Sequence, residues 1–582
     1  MGGLNGYQYA PKHHAYDLFG ASRSFVWHHQ YDEIGNRIRT VRPDGHAVDW
    51  LTYGSGHVHG MMLDGKELVQ IERDDLHRET LRTLPSKIDQ RTAYDRAGRL
   101  AQRTVQRANA PAPLAERRYR YDAAGQLVQI EDNRRGLTDY RYDPVGRLLE
   151  SIGPAGKERF AFDPASNIID PARVEPPRTE SRPSPVRAES TLPAEVPKML
   201  GNLLKQYAGE HFTYDARGNL VHRRSPVGEQ RYEWNAFNRL TAATVDEVAR
   251  RSESRYYYDA LGCRIAKEVN GERTVFGWDG DTLAYESAGQ GSTHYLYEAG
   301  SFVPMVQYVS AQVEGFETPS RSAADRYVPE DDPLQRLPER VGDAHAFYYH
   351  CDQIGTPQLL TDDEGDVVWE ATYRAWGEAR EVIARVSKVA GIVPRSSLRF
   401  QGQQVDEDTG LHYNRHRYYD PSSGRFVSKD PIGLAGGLNG YQYAPNPVSW
   451  VDPLGLSGNS LPGSSSVNRI GGNAIDNLRL KEPEKKLNPP GISGLHSCCP
   501  YDAAHQMRSA FPKATGLLKS TETVASGTAD AVRSAGFDVI EDPTNKFPNH
   551  ARIVHPDGAD GFNDEKLKGL FEALGSTTRC PR

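Results

Sequence analysis

One short phrase returns throughout the first half of this chain: an aromatic residue, Asp, two variable residues, Gly, then Asn, Arg, Gln or, once, Cys. It begins at Tyr31, Tyr94, Tyr121, Tyr142, Tyr214 and Tyr258, with degenerate copies at Phe162, Trp234 and Trp278. Clear copies recur about every 20–27 residues, the spacing of one supersecondary unit per repeat. Each copy parses as strand, turn, strand: the aromatic ends one strand, Asp-x-x-Gly makes the turn, and the following residues open the next strand. One such unit cannot bury its own apolar face, so the repeats must stack into a large antiparallel array. The aromatics are read as wall residues that pack across strands rather than as a surface for sugars or bases. With 30 Tyr and 54 Gly in 582 residues, the composition suits many short strands with wet outer faces.

Two segments interrupt the pattern. Residues 170–197 are Pro-rich, charged and nearly free of large apolar side chains, as expected of an extended, mobile insert. Residues 310–344 are polar with prolines and charge clusters, and are expected to form a long external loop. Repeats resume after both, so neither is read as a domain boundary.

Where the repeats end, a second pattern takes over. Residues 430–434 read DPIGL and residues 452–456 read DPLGL. In each, Pro fixes φ and Gly permits a close or left-handed backbone, which predicts a tight turn. Two aspartates in matched settings also suit paired-carboxylate chemistry, in which neighbouring carboxyls share a proton and one activates water. Taken alone, the phrase is better read as an ordinary turn, since Asp-Pro is a common turn opener.

The stretch 425–456, together with the repeats and the segments YYHCDQIGTPQLL and RFQGQQVDEDTGLHYNRHRYYDPSSGRF, resembles the Rhs/YD-repeat polymorphic toxin family over most of residues 31–456. The resemblance implies a mainly β fold: a hollow, cocoon-like shell of β-hairpins followed by a toxin domain of variable sequence. It also implies an aspartyl-protease-like site that cuts directly after the second DPxGL. Carried onto this chain, Asp430 and Asp452 are the catalytic pair and Leu456–Ser457 is the scissile bond. Pro447 and Pro453 complete the PxxxxDPxGL pattern, and Gly455 lets the chain lie close to the carboxylates. The basic residue that assists the pair is expected to be Lys429 or Arg425.

Residues 2–11, GGLNGYQYAP, are identical to residues 436–445. The rest of the core-end pattern does not follow the first copy, so the repetition reads as a recombination scar. It predicts a chain truncated at its N-terminus, without the delivery modules that fuller members carry. The expected organisation is a core-end remnant and lead-in at 1–27, the repeat shell at 28–424, the core-end cleavage region at 425–456, a flexible leader at 457–490 and a toxin domain at 491–582.

A formal charge of −7 makes no global case for nucleic acid or membrane binding. Five cysteines in so long a chain are no disulfide framework. No apolar run of signal-peptide or membrane-span type occurs. The expectation is a protein soluble in the producer's cytoplasm, exported or delivered into target cells only by a dedicated machine.

The tail is expected to be a small α/β or α+β unit. Residues 500–511, 528–535 and 562–574 have helical spacing, while 537–541 and 549–555 read as strands. Alternation puts His550 and Arg552 on one strand face, and His555 lies at the turn that follows. Imidazole beside guanidinium is what a metal-independent RNase needs, one to move the proton and the other to stabilise charge on phosphorus. On an exposed face the same pair is equally just solvated. Cys498 and Cys499 ahead of a predicted helix, with these histidines, form the alternative: a thiol-dependent protease or deamidase. HNH, deaminase and P-loop signatures are absent, and no cofactor or metal is called for. The resulting expectation is an effector of interbacterial competition, of the type VI secretion kind, whose tail acts on RNA. Its partners would be a cognate immunity protein and a carrier or spike protein of the secretion machine. The rival is a rearranged, non-toxic shell remnant.

Overall fold

The computed structural model describes residues 8–18, 21–54, 56–154, 156–169, 199–200, 202–289, 291–317, 328, 332–456 and six strands beyond 456. Each repeat folds as its spacing predicts, and the side chains explain the phrase. The Asp carboxylate accepts backbone N–H bonds from the residues two and four ahead, as in Asp95 with Ala97 (2.9 Å) and Arg99 (2.9 Å). Its second oxygen takes the side chain at the fourth position, Arg99 (2.8 Å) in one repeat and Asn219 (2.9 Å from Asp215) in another. Asn and Arg are therefore interchangeable there because both are donors of the right reach. The Gly sits at positive φ, for example +82° at Gly98 and +89° at Gly218, where a side chain would be strained.

The aromatic residue marks a β-bulge, a register slip recorded at Tyr31, Tyr94, Tyr121, Tyr142, Tyr214, Trp234 and Tyr258. Its polar tip reaches back one repeat. Tyr121 Oη donates to Leu100 O (2.9 Å), Tyr258 Oη to Leu240 O (2.8 Å), and Trp234 Nε1 to Leu220 O (2.7 Å). The Arg of one turn stacks on the aromatic of the next, Arg99 lying 4.5 Å from the Tyr121 ring centroid. The aromatics are thus wall residues, and most of the Tyr and Trp are tied to the preceding unit.

Strung together, these units make two 15-stranded antiparallel sheets, nearly all meander. The first runs from Gln8–Leu18 to Gly156–Arg159, the second from Gln206–Tyr207 to Ala379–Ala384. The sheets share an apolar core, with Val48, Leu68, Val69 and Ile88 of the first against Val306, Tyr308, Tyr348 and Leu359 of the second. Arginines of the first sheet bridge to the second: Arg82 to Glu298 (2.7 Å), Arg103 to Cys351 O (2.9 Å) and Arg134 to Glu370 (2.6 Å).

Three expectations differ from the structure or fall outside it. Parts of 310–344, expected to be an external loop, lie along the first sheet: Phe316–Glu317 pairs with Ala21–Tyr31, and Arg336 O accepts His28 Nε2 (2.8 Å). Residues 170–197 lie outside the described residues. In the segment expected to be a flexible leader, Ser466–Ile470 forms an inner strand of a six-stranded antiparallel sheet. That sheet holds the expected strands as Asp538–Glu541 and His550–Val554, together with Gly491–His496, Thr523–Thr528 and Ser576–Arg579. Thr528, expected to begin a helix, ends a strand instead. The rest of that expected helix and the other two lie outside the described residues.

Candidate active site at the core end

The repeat sheets end at a small four-stranded sheet made of Gln404–Val405, His412–Asn414, Arg417–Asp420 and Arg425–Phe426. It packs on the turn edge of the repeats. Tyr413 Oη donates to Gly262 O (3.2 Å), Tyr441 Oη to Gly218 O (2.9 Å) and Gln401 Nε2 to Ile354 O (2.7 Å). All three acceptors belong to repeat turns, so the chain from 400 to 456 is laid across them.

Both DPxGL phrases form the predicted turns. Gly433 N donates to Asp430 O (3.0 Å) with Gly433 at φ +61°, and Gly455 N donates to the Asp452 carboxylate (2.9 Å) with Gly455 at φ +71°. The fold brings the two aspartates to one cation. Arg417 Nη2 lies 2.9 Å from Asp430 Oδ2 and 3.4 Å from Asp452 Oδ2, with the three side chains 1–2% exposed. The guanidinium lies 3.6 Å from the Phe426 ring centroid, donates through Nη1 to Gly440 O (3.0 Å) and through Nε to Gly455 O. Burial pulls its pKa down from the ordinary arginine value, against the two carboxylates that hold it up.

The carboxylates differ in setting. Asp452 Oδ1 accepts N–H bonds from Gly455 (2.9 Å) and Leu456 (3.1 Å). Asp430 accepts one, from Ile432 (3.0 Å). Burial pushes the Asp430 carboxyl up to about 6, against the opposing pull of Arg417. A carbon placed on Gly436 would lie 2.1 Å from Asp430 Oδ2 and 2.7 Å from the Leu456 carbonyl oxygen. The missing side chain at Gly436 therefore leaves one small space flanked by the Asp430 carboxyl and the Leu456 carbonyl.

The segment ending at Leu456 is held on its other side by residues 414–417. Asn414 Nδ2 donates to Asp452 O (2.7 Å) and Pro453 O (2.8 Å), and His416 N donates to Leu454 O (3.2 Å). A Cβ on Gly455 would meet Asn414 O at 2.8 Å, which is why glycine is required there.

The basic residue at the pair is thus Arg417. Lys429 is exposed, and Arg425 donates to Asn202 O and faces the Tyr441 ring at 5.1 Å. Arg417 stands in the run NRHR, ahead of both carboxylates. Nothing in its spacing pointed to it, because a residue 13 positions before Asp430 reaches the pair only through the hairpin fold. Of the tail residues, His550 and Arg552 lie on one strand at positions two apart, opposite Leu495 and Ser493 of Gly491–His496. His555, Ser457, Cys498 and Cys499 lie outside the described residues.

The Teneurin YD-shell family matches residues 61–276 and the RHS protein family matches residues 346–383. The chain belongs to the Rhs/YD-repeat polymorphic toxin family. Double-stranded DNA deaminase toxin A of Burkholderia cenocepacia is 35% identical over 447 residues, 73% of this chain and 28% of that protein. Toxin protein Tse5 of Pseudomonas aeruginosa is 36% identical over 458 residues, 74% of this chain and 34% of that protein. The chain therefore spans about a third or less of the length of these Rhs relatives. Among solved structures, the Photorhabdus luminescens Tc holotoxin pore superposes with a TM-score of 0.55 at 20% identity, covering 74% of this chain and 21% of that one. That likeness is one of fold, and it makes the paired sheets a β-shell.

Proposed function

We propose that this chain is an Rhs-type effector of interbacterial competition, whose shell carries a C-terminal toxin and cuts itself after Leu456. The observation that carries the reading is that Arg417 holds Asp430 and Asp452 together, with the Asp430 carboxyl and the Leu456 carbonyl flanking the space at Gly436. In the step this arrangement suits, protonated Asp430 donates to the Leu456 carbonyl oxygen while ionised Asp452 takes a proton from water. The water oxygen adds to the carbonyl carbon. Collapse then breaks the bond to Ser457, whose nitrogen leaves with the proton from Asp452, and the proton on oxygen returns to Asp430. Arg417 holds the pair together and compensates the negative charge that Asp452 carries.

Purified chain is expected as two pieces, the second beginning at Ser457 by mass spectrometry. Asp430→Asn, Asp452→Asn or Arg417→Leu should leave one piece. A cut before Pro453 would instead be acid-labile Asp-Pro scission, and wild-type chain that stays whole overturns the proposal.

For the tail we favour the metal-independent RNase. His550 and Arg552 stand two positions apart on an inner strand, the spacing at which strand alternation supports one common face. The full chain, induced in a susceptible host, is expected to arrest growth and degrade RNA. His550→Ala should abolish both, since loss of a general base costs on the order of 10²–10⁴ in rate. Arrest that persists in His550→Ala but fails in Cys499→Ser would make the tail a thiol enzyme. Delivery by a type VI spike or carrier and neutralisation by a cognate immunity protein belong to the same reading. A wild-type tail that leaves growth untouched would favour a non-toxic shell remnant.

A further inference from the structure

Two copies of the repeat phrase carry arginine where others carry leucine, the partly exposed Arg37 and a fully buried one that neither turn chemistry nor the cut itself explains. After the fourth turn position, most repeats place an apolar residue that the core buries: Leu127, Leu148, Leu220 and Leu240 are all at most 2% exposed. The repeat at Tyr258 puts Arg264 there, 1% exposed. A buried charge in a leucine position is costly unless its partners hold it well.

Those partners come almost entirely from the core end. Arg264 Nη1 lies 3.1 Å from Asp406 Oδ2 and 3.2 Å from Tyr418 Oη, and Nη2 is 2.5 Å from Gln404 Oε1. Its backbone N–H donates to Tyr413 Oη (3.0 Å). Its guanidinium lies 4.5 Å from the Tyr413 ring centroid, 4.6 Å from Phe276 and 5.9 Å from Tyr418. The Tyr418 hydroxyl is held a second time by Tyr258 of the same repeat (3.1 Å). Tyr418 is the chain neighbour of Arg417 on strand Arg417–Asp420. Successive strand side chains point to opposite faces, so fixing Tyr418 on the repeat side turns Arg417 toward Asp430 and Asp452.

We infer that Arg264 is a positioning residue for the cut: it anchors Tyr418, aims Arg417 at the two aspartates, and so makes the site depend on a completed repeat sheet. This rests on the self-cleavage reading. Arg264→Leu restores the common repeat residue but removes one partner of a buried pair and leaves Asp406 to Lys267 (3.5 Å), so it is expected to lower stability as well. Tyr418→Phe keeps that ion pair, and with it stability and cutting are expected to separate.

The test follows the full chain during cell-free synthesis at mildly acidic, neutral and mildly alkaline pH. Samples are quenched in denaturant and scored for cutting at Leu456. Arg264→Leu should fold, show the shell's protease resistance, and cut at least tenfold more slowly, with Arg264→Lys intermediate. Tyr418→Phe, which removes only the hydroxyl, should slow the cut in the same direction. Both should also move the pH profile of cutting upward, because an Asp430 less closely held by Arg417 keeps its proton to higher pH. A purely structural role would not move that profile. If Arg264→Leu does not fold, Tyr418→Phe decides alone. Wild-type rates and profile in Tyr418→Phe and in any folded Arg264→Leu overturn the inference and leave self-cleavage standing. A wild-type chain that never cuts after Leu456 overturns both.

Discussion

At the scale of single residues, the two aspartates differ in what surrounds them. Asp452 is held by two backbone N–H groups and Arg417, whereas Asp430 faces the Leu456 carbonyl with its carboxyl raised to about 6. A raised carboxyl stays protonated below that pH and loses its proton above it. If Asp430 is the acid, cutting should be near its ceiling just below pH 6, where Asp452 is still ionised, and fall about tenfold for each unit above. A time course of cutting in buffers on both sides of that value checks the sign. A rate that instead climbs as pH rises through 6 would exchange the roles of Asp430 and Asp452. Both aspartates and the leucine were legible in the sequence, because the doubled DPxGL phrase marks them. Arg417 was not, since its reach depends on a hairpin turning back over Gly440 and Gly455.

At the scale of elements, the turns do two jobs that a matched pair of glycines can separate. Gly35 and Gly218 share φ +89°, but a Cβ on Gly35 would meet nothing within 4 Å, whereas one on Gly218 would lie 2.3 Å from Tyr441 Oη. Gly35→Ala should cost only the backbone strain, about 1 kcal/mol. Gly218→Ala adds displacement of a ring that ties the core end to the repeats, for a total of roughly 2–4 kcal/mol. Urea midpoints in an uncut Asp430→Asn background read the difference. In the cutting background, Gly218→Ala alone should slow the appearance of the Ser457 terminus. Equal costs and equal rates would mean that the core end does not lean on the turns. The strand-turn-strand unit was legible because Asp, Gly and Asn or Arg each have a local bonding partner. The β-bulge at the Tyr and Trp of the repeats was not, because it is a relation between neighbouring strands.

At the scale of the whole molecule, the shell fragment should keep its own new terminus after the cut. Residues 452–456 stay held by Asn414, His416 and Arg417 whether or not the bond beyond them is intact. If the shell encloses the tail, the two pieces should run as one species through gel filtration and part only in denaturant. Separation in native buffer would show that they are merely tethered. The arginines that bridge the sheets, Arg82 among them, are the other support of that enclosure. Truncating Arg82 strands Glu298 without its partner, a loss of about 3–5 kcal/mol for a buried pair, less where one side is half-exposed as here. Arg82→Ala should therefore lower the unfolding midpoint of the uncut chain, as measured by urea titration.

The sequence alone determined what is local. The period of the repeat, the turn at each Asp-x-x-Gly, the paired DPxGL turns and two strands of the tail all follow from side chains bonding within a few residues. The tertiary structure decided what is distant: which sheet faces which, which arginine enters the carboxylate pair, and where Phe316–Glu317 and Arg336 lie. The duplicated decapeptide shows the division. In the first copy, residues 8–11 belong to strand Gln8–Leu18, paired along Ala21–Tyr31. In the second, Tyr441 and Tyr443 are buried in the core end beside Gly218 and Phe400, outside any strand. Identical residues have identical propensities, so only their neighbours in space select between the two conformations.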